Sequence, residues 1–243
     1  MRNERGITLI ELLVAVTLLS LLSAGMFFAM QIGLGAMGRT NKHFTDVRRV
    51  LGSDRVITEQ IAGFVPTAGL CQPTPEAPPI RVGFFQGDVQ TMRFVSTWSL
   101  QEAGRGLPRI LEFQVIPGEN GEGVRLVVNE TLFTGPPSTI PFCAGYAPDP
   151  MSGYPTVQWR PVQIGPNSFV LADKLAYCRF TFKQDVTEEL LPDKWLGRWI
   201  HDFTPAAVRI DWLPLHPDPS RLTLAPMTLP FRPGRHPLME YSD

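Results

Sequence analysis

ITLIELLVAVTLLSLLSAGMFFAMQIGLGAMG, residues 7–38, holds one charged side chain, Glu11. Inside it, residues 12–30 form a run of 19 without a charge. At about 1.5 Å per residue such a helix spans roughly 28 Å, close to the ~30 Å of a bilayer's hydrocarbon core. A cleaved secretory signal has an apolar core of only about 7–15 residues, so this run is too long for one. The fold therefore begins with an apolar helix that needs lipid or other helices around it.

Working outward, all 24 prolines lie at Pro66 or beyond. Proline cannot donate in a sheet ladder and breaks helix interiors, so the first 65 residues can be helical and the rest reads as strands and turns. Gly33, Gly35 and Gly38 close the apolar run. Each costs a helix about 1 kcal/mol against alanine, which points to a kink or local melting, or else to close packing of helices. Phe44, Val47, Leu51, Ile57 and Ile61 then recur near a helical period among charges such as Arg48, Arg49, Asp54, Arg55 and Glu59. That pattern predicts an amphipathic helix lying on its own sheet. Its basic side is either solvated or set against lipid headgroups. Taken as one helix, residues 7–62 would be roughly 84 Å long.

Past Pro66, residues 66–79 carry five prolines and read as a loop. Alternation predicts strands at 80–85, 91–96, 109–116 and 123–130, the last two joined by a hairpin loop over 117–123. A second proline-rich stretch, 134–155, reads as a long surface loop or insertion. Residues 171–175 and then 177–183 look like a strand; Trp195 and Trp199 come next, then the stretch AAVRIDW at 206–212 with its leading Pro205. The aromatics flanking these strands read as core. After Leu213 the proline-rich tail reads as an irregular or extended arm.

Net charge is −1, with 22 Lys and Arg against 23 Asp and Glu. That leaves no global electrostatic case for nucleic acid. Of three cysteines, Cys71 and Cys143 lie in loop-like sequence and Cys178 in a strand-like run. A Cys71–Cys143 bridge with Cys178 buried, and three free thiols, both fit. Glu119, Asn120 and Glu122 in the hairpin loop invite calcium, but lack the alternating oxygen spacing of a calcium loop. No metal and no cofactor are expected. His43, His201, His216 and His236 are scattered, and no HExxH, GxSxG, P-loop or GxGxxG is present. His201–Asp202 beside Trp199 is the one tempting cluster, and it lacks a nucleophile or ligand spacing. The expectation is a protein that is not an enzyme.

Glu11 needs explaining, because a carboxylate in a bilayer usually has a partner. No basic residue lies within 7–38; the nearest are Arg5 and Arg39. A cut between Gly6 and Ile7 would place a new α-amine four residues before Glu11, able to neutralise it in the same helix or in a neighbouring one. A simple bitopic anchor with Glu11 snorkelling to the headgroups fits as well.

The stretch Gly6-Ile7-Thr8-Leu9-Ile10-Glu11-Leu12-Leu13-Val14-Ala15, after a short basic leader, resembles the prepilin-type cleavage and methylation signal of type IV pilins and type II secretion pseudopilins. The resemblance implies cleavage after Gly6 by a membrane prepilin peptidase, N-methylation of Ile7, and a docking role for Glu11 in assembly. Ile7 stands where that signal usually has Phe. A strand, Trp195-x3-Trp199, a proline and the strand from Ala206 further resemble J-type minor pseudopilins, with Thr204 where that family usually has leucine. The implied fold is α+β and pilin-like, a long N-terminal helix, half transmembrane and half amphipathic, packed on antiparallel sheet.

The implied organisation is a leader at 1–6, a transmembrane assembly helix at 7–38, an amphipathic helix at 39–65 and a β-rich periplasmic domain at 66–243. The implied partners are the peptidase, the I-type and K-type minor subunits and the major pseudopilin. The implied place is the inner membrane, single-pass with the body in the periplasm, and then the tip of the filament. Arg39, Lys42, Arg48, Arg49 and Arg55 follow the apolar run, against Arg2 and Arg5 before it, so the positive-inside rule favours the opposite orientation. The alternatives are a minor type IV pilin, or a single-pass anchored periplasmic binding domain.

Overall fold

A computed structural model describes residues 9–150, 153–184, 194–216, 223–231 and 238, with 32–49 as backbone only. The chain divides into two compact units, Met1–Arg49 and Val50–Asp243. Helix α1 (Leu9–Ala62) contributes to both. It remains helical at Gly33, Gly35 and Gly38, because a glycine keeps its backbone donor and acceptor and costs only conformational entropy. The expected melting point is thus a helical stretch in this structure.

In the first unit, Leu9–Gln31 has a mean hydropathy of 2.3 and none of its side chains is buried. In the second unit the final turns of α1 bury Ser53, Ile57, Gln60 and Ile61. This stripe differs from the apolar pattern in one place: Leu51 is exposed, and two polar residues take positions on the buried side. Ser53 donates its hydroxyl to the Leu171 carbonyl. The Gln60 side-chain amide donates to Glu130 Oε1 at 3.0 Å, and the Gln60 main-chain carbonyl accepts from Ser96 Oγ at 2.7 Å. A polar side chain is tolerated in such a stripe when it is hydrogen-bonded. Phe44 and Val47 lie outside the described side chains.

Twelve strands follow among the described residues: β1 (Ala68–Cys71), β2 (Ile80–Gly83), β3 (Gln86–Gly87), β4 (Thr91–Ser99), β5 (Gly104–Pro117), β6 (Val124–Leu132), β7 (Cys143–Pro148), β8 (Pro155–Trp159), β9 (Phe169–Gln184), β10 (Lys194–Leu196), β11 (Ala207–Pro214) and β12 (Met227–Pro230). The main sheet is antiparallel and runs β12, β11, β9, β6, β5, β4, β3, with β10 also paired to β9. The β3 end of the path closes back toward β9. Gly87 at the end of β3 bridges Trp199, whose N–H donates to the Gly87 carbonyl at 2.8 Å, and the Phe180 N–H of β9 donates to Val89 at 2.9 Å. Gly87 is required there, since a Cβ would stand 2.7 Å from the Phe182 ring and 2.9 Å from Trp199 Cβ. Closure removes a sheet edge that would otherwise be open to pairing.

The strand read over 171–175 and 177–183 is β9. It turns through Lys174 at φ 55°, and next to that turn its register slips with β6 between Ala172 and Leu175 and with β11 between Leu175 and Tyr177. The core lies against the sheet. Phe64, Phe85, Phe94 and Phe231 form a ring cluster with centroids 4.8–6.4 Å apart. Phe231 belongs to the tail read as an irregular arm; instead β12 pairs with β11 and delivers this ring to the core.

Two expected loops also contain strands. The stretch 66–79 holds β1, which pairs with β2. The stretch 134–155 holds a 3-10 helix at Pro136–Phe142 and then β7, paired with β8. Cys71 of β1 and Cys143 of β7 are joined by a disulfide, with Val82 and Val157 packed around it. Neither small sheet buries enough surface to stand alone; the bridge ties them together.

Candidate functional site

The segment Leu9–Gln31 is the part of the molecule whose chemistry is least satisfied by the chain itself. Two of its hydroxyls are closed off internally: Thr17 donates to the Val14 carbonyl at 2.9 Å and Ser20 to Val16 at 2.8 Å. Back-bonding of this kind spares those two donors the penalty of an apolar medium. Leu9, Leu22, Met26 and Phe28 are all exposed. Glu11 is the one charged residue of this segment. It has no ion-pair partner among the described residues. The arrangement is a greasy rod with one carboxylate near its start, able to accept one cation and many hydrophobic neighbours. Gly6 and Ile7, the expected cleavage and methylation positions, lie outside the described residues.

The body supplies rigidity. Arg93 on β4 is fully buried and opposite Glu112 of β5. Its Nη2 and Nε donate to Glu112 Oε1 at 2.6 and 2.9 Å, its Nη1 to Gln86 Oε1 at 2.6 Å, and its Nη2 also to the Arg160 carbonyl at 3.1 Å. Phe142 and Trp159 flank the guanidinium, with ring centroids 5.2 and 5.5 Å away. Burial pulls the Arg93 pKa below its ordinary value, and Glu112 opposes that. The cluster fastens the loop after β8 and the 3-10 helix to the main sheet. The sequence carries one hint of it, an arginine between Met92 and Phe94 in β4.

The two tryptophans separate. Trp195 lies half-buried on β10, while Trp199 is buried, donates its indole N–H to the Phe203 carbonyl at 2.7 Å and makes the bridge that closes the sheet. His201 stacks on Phe203 with centroids 4.8 Å apart and meets Trp199 edge-on at 4.9 Å. Burial holds its pKa below the usual imidazole value, against the opposing charge of Asp202. Cys178 is free and buried, and burial pushes its thiol up to about 12. In the β5–β6 hairpin, Glu119 lies 3.2 Å from Arg125 and Asn120 takes a left-handed φ of 56°. Among the described residues no three His, Cys, Asp or Glu side chains are grouped so that they could hold a metal ion.

Residues 1–27 match the family model of the prokaryotic N-terminal methylation motif. Neither a curated protein nor a solved structure matches the chain. The chain thus carries a type IV pilin-like prepilin signal, which marks a pilin-like protein of a pilus or a pseudopilus. Such a signal implies processing by a prepilin peptidase and assembly with other pilin-like subunits in a membrane. The apolar helix Leu9–Gln31 is consistent with a membrane anchor that leaves the body outside.

Proposed function

We propose that the protein is a J-type minor pseudopilin, a structural subunit of a type II secretion pseudopilus that acts at the filament tip and supports protein export. It is a scaffold, not an enzyme. The leader brings it to the inner membrane with the body in the periplasm. Cleavage after Gly6 frees the Ile7 amine, which is then methylated. The helix passes from lipid into a bundle formed with the I-type and K-type minor subunits and the major pseudopilin. In that bundle a cation at the depth of Glu11 neutralises it, and a subunit presenting no cation there is rejected.

The observation that carries the reading is Glu11 as the one charge of the exposed segment Leu9–Gln31, within the matched motif of residues 1–27. The Trp195–Trp199 spacing followed by Pro205 and strand β11 supports the J-type choice. The Cys71–Cys143 bridge supports an exported body, because disulfides persist in oxidising compartments. A minor type IV pilin is the second reading, favoured by the motif itself, which pili and pseudopili share.

N-terminal peptide mass spectrometry of the membrane-extracted protein tests the core of the proposal. The first peptide should begin at a methylated Ile7; a chain still starting at Met1 in cells with the peptidase sinks it. Co-purification with I-type and K-type subunits supports the secretion reading. Recovery with pilus subunits alone selects the second.

A further inference from the structure

Successive side chains of a strand point to opposite faces of its sheet. Phe94 of β4, Leu111 of β5, Phe182 of β9 and Ile210 of β11 point to the core, so the residues beside them form the outer face of the main sheet. Over β4 and β5 that face is roofed. Val95 and Ile110 are at 0% exposure, packed with Phe142 of the 3-10 helix and Trp159 of β8.

Over β9 and β11 the same face is open. Three cross-strand pairs lie on it: Tyr177↔Leu213, Arg179↔Asp211 and Thr181↔Arg209. Tyr177 is 39% and Leu213 45% exposed. β10 extends the face on one side, where Trp195 stands opposite Lys183, as Leu196 stands opposite the core residue Phe182. β12 extends it on the other, with the exposed Thr228 opposite Arg209. Antiparallel sheets commonly leave one face to water, and that face is then polar. This one sets Tyr177, Leu213 and Trp195 among its charges.

The charges are ordered. Arg209 Nε donates to Asp211 Oδ1 at 2.9 Å, and the Arg179 guanidinium lies over the Tyr177 ring, 5.5 Å from its centroid. With Lys183, these rows hold three cations against one carboxylate, on a chain whose net charge is −1. Tyr, Trp and Arg are the side chains that most often carry binding energy at protein interfaces, and opposite charge across a contact selects the partner. The excess of cations calls for an acidic partner. A second copy that met this face with its own would oppose like charges. A layer of anionic headgroups would repel Asp211, whereas a folded acidic surface can place a donor against it.

We propose that this open face of β10, β9 and β11, centred on Tyr177, Arg179 and Arg209, binds the body of one neighbouring pilin-like subunit through an acidic patch on that neighbour. The proposal rests on the assembly with other subunits described above and not on the J-type choice. The segment Leu9–Gln31 offers one charge, Glu11, for choosing neighbours; the outer face adds a second, independent selection on the body.

Site-specific photo-crosslinking of the full chain in filament-forming cells tests this. Benzoylphenylalanine is placed at Thr228, beside Arg209 on the face, and separately at Leu22 of the apolar helix. Thr228 should join another pilin-like subunit through a peptide that carries Asp or Glu. Arg179→Glu with Arg209→Glu should lower that yield by about tenfold or more, with the Leu22 yield and the urea midpoint of the body unchanged. If Leu22 joins neighbours while Thr228 joins only lipid, a second copy or nothing, the face proposal is overturned and the assembly reading stands. Silence at both positions overturns both. A Thr228 yield indifferent to the double charge reversal also overturns the proposal. Should that variant lower the urea midpoint, Arg179→Gln with Arg209→Gln decides: a reduced Thr228 yield at the parent's midpoint supports the face, and an unchanged yield overturns it.

Discussion

The helical segment Leu9–Gln31 and the sheet body from Val50 onward use hydrophobic residues in opposite ways. In the first, Leu9 is 83% exposed and Leu22 72%; in the second, Phe94, Leu111 and Phe182 are each at 0%. Burying a Leu or Phe side chain contributes about 1.5–3 kcal/mol. The body collects that stabilisation from its own strands, while the helix must collect it from lipid or from other helices. One part is finished by folding and the other only by insertion and assembly. The difference also sorts the polar residues: the body pairs its buried charge within the chain, and the helix leaves Glu11 for a partner to neutralise.

The sharpest way to break this comparison is at Glu11. Glu11→Ala should lower incorporation into sheared filaments by about tenfold or more, the scale of a lost pairing in an apolar medium. Membrane insertion and the protease resistance of the body should stay as they are. Normal incorporation of the variant would remove the docking role.

The next largest effect tests whether the body is self-sufficient. Arg93→Met strands the Glu112 carboxylate in the interior and should cost the body about 3–5 kcal/mol in urea unfolding. Combining it with Glu112→Leu should return most of that loss, because the pair is then replaced by apolar packing. A single variant as stable as the parent would mean that water reaches Glu112.

Removing the bridge comes third. Cys71→Ser with Cys143→Ser opens a link across a sequence separation of 72 and should cost about 2–4 kcal/mol. The loss should fall on β1, β2, β7 and β8 first. The Cys178 thiol, pushed up to about 12 by burial, reports on the remainder: in the folded body it should resist alkylation, since the thiolate is the reactive form, and it should react fully in denaturant.

These contrasts explain what was legible in the sequence. The apolar helix is carried by composition alone, so residues 12–30 and Glu11 could be read directly. Ile57 and Ile61 obey a helical period and were readable too. Ser53 and Gln60 were not, because their burial depends on acceptors at Leu171 and Glu130, far along the chain. The strands β1 and β7 were hidden inside proline-rich stretches, since what holds them is a disulfide and the Arg93 cluster rather than local alternation. Nothing local in the sequence marks Glu112; only the cross-strand register makes it Arg93's partner.

The smallest expected effect concerns His201, in the loop after the bridge that closes the sheet. Its folded pKa lies below 6.5, with burial the first cause and Asp202 and Lys194 pulling in opposite directions. Below about pH 6.5 the unfolded chain takes up a proton that the folded body resists. Stability from this residue is therefore full above that value, falls as the pH drops toward the folded pKa, and levels off below it. His201→Phe keeps an aromatic ring against Trp199 and Phe203 and cannot titrate. Urea midpoints measured from pH 7.5 to 5 should fall less steeply for the variant than for the parent. Identical slopes would show that the imidazole takes its proton as readily in the folded body as in the unfolded chain, and that carboxylates elsewhere set the acid limb.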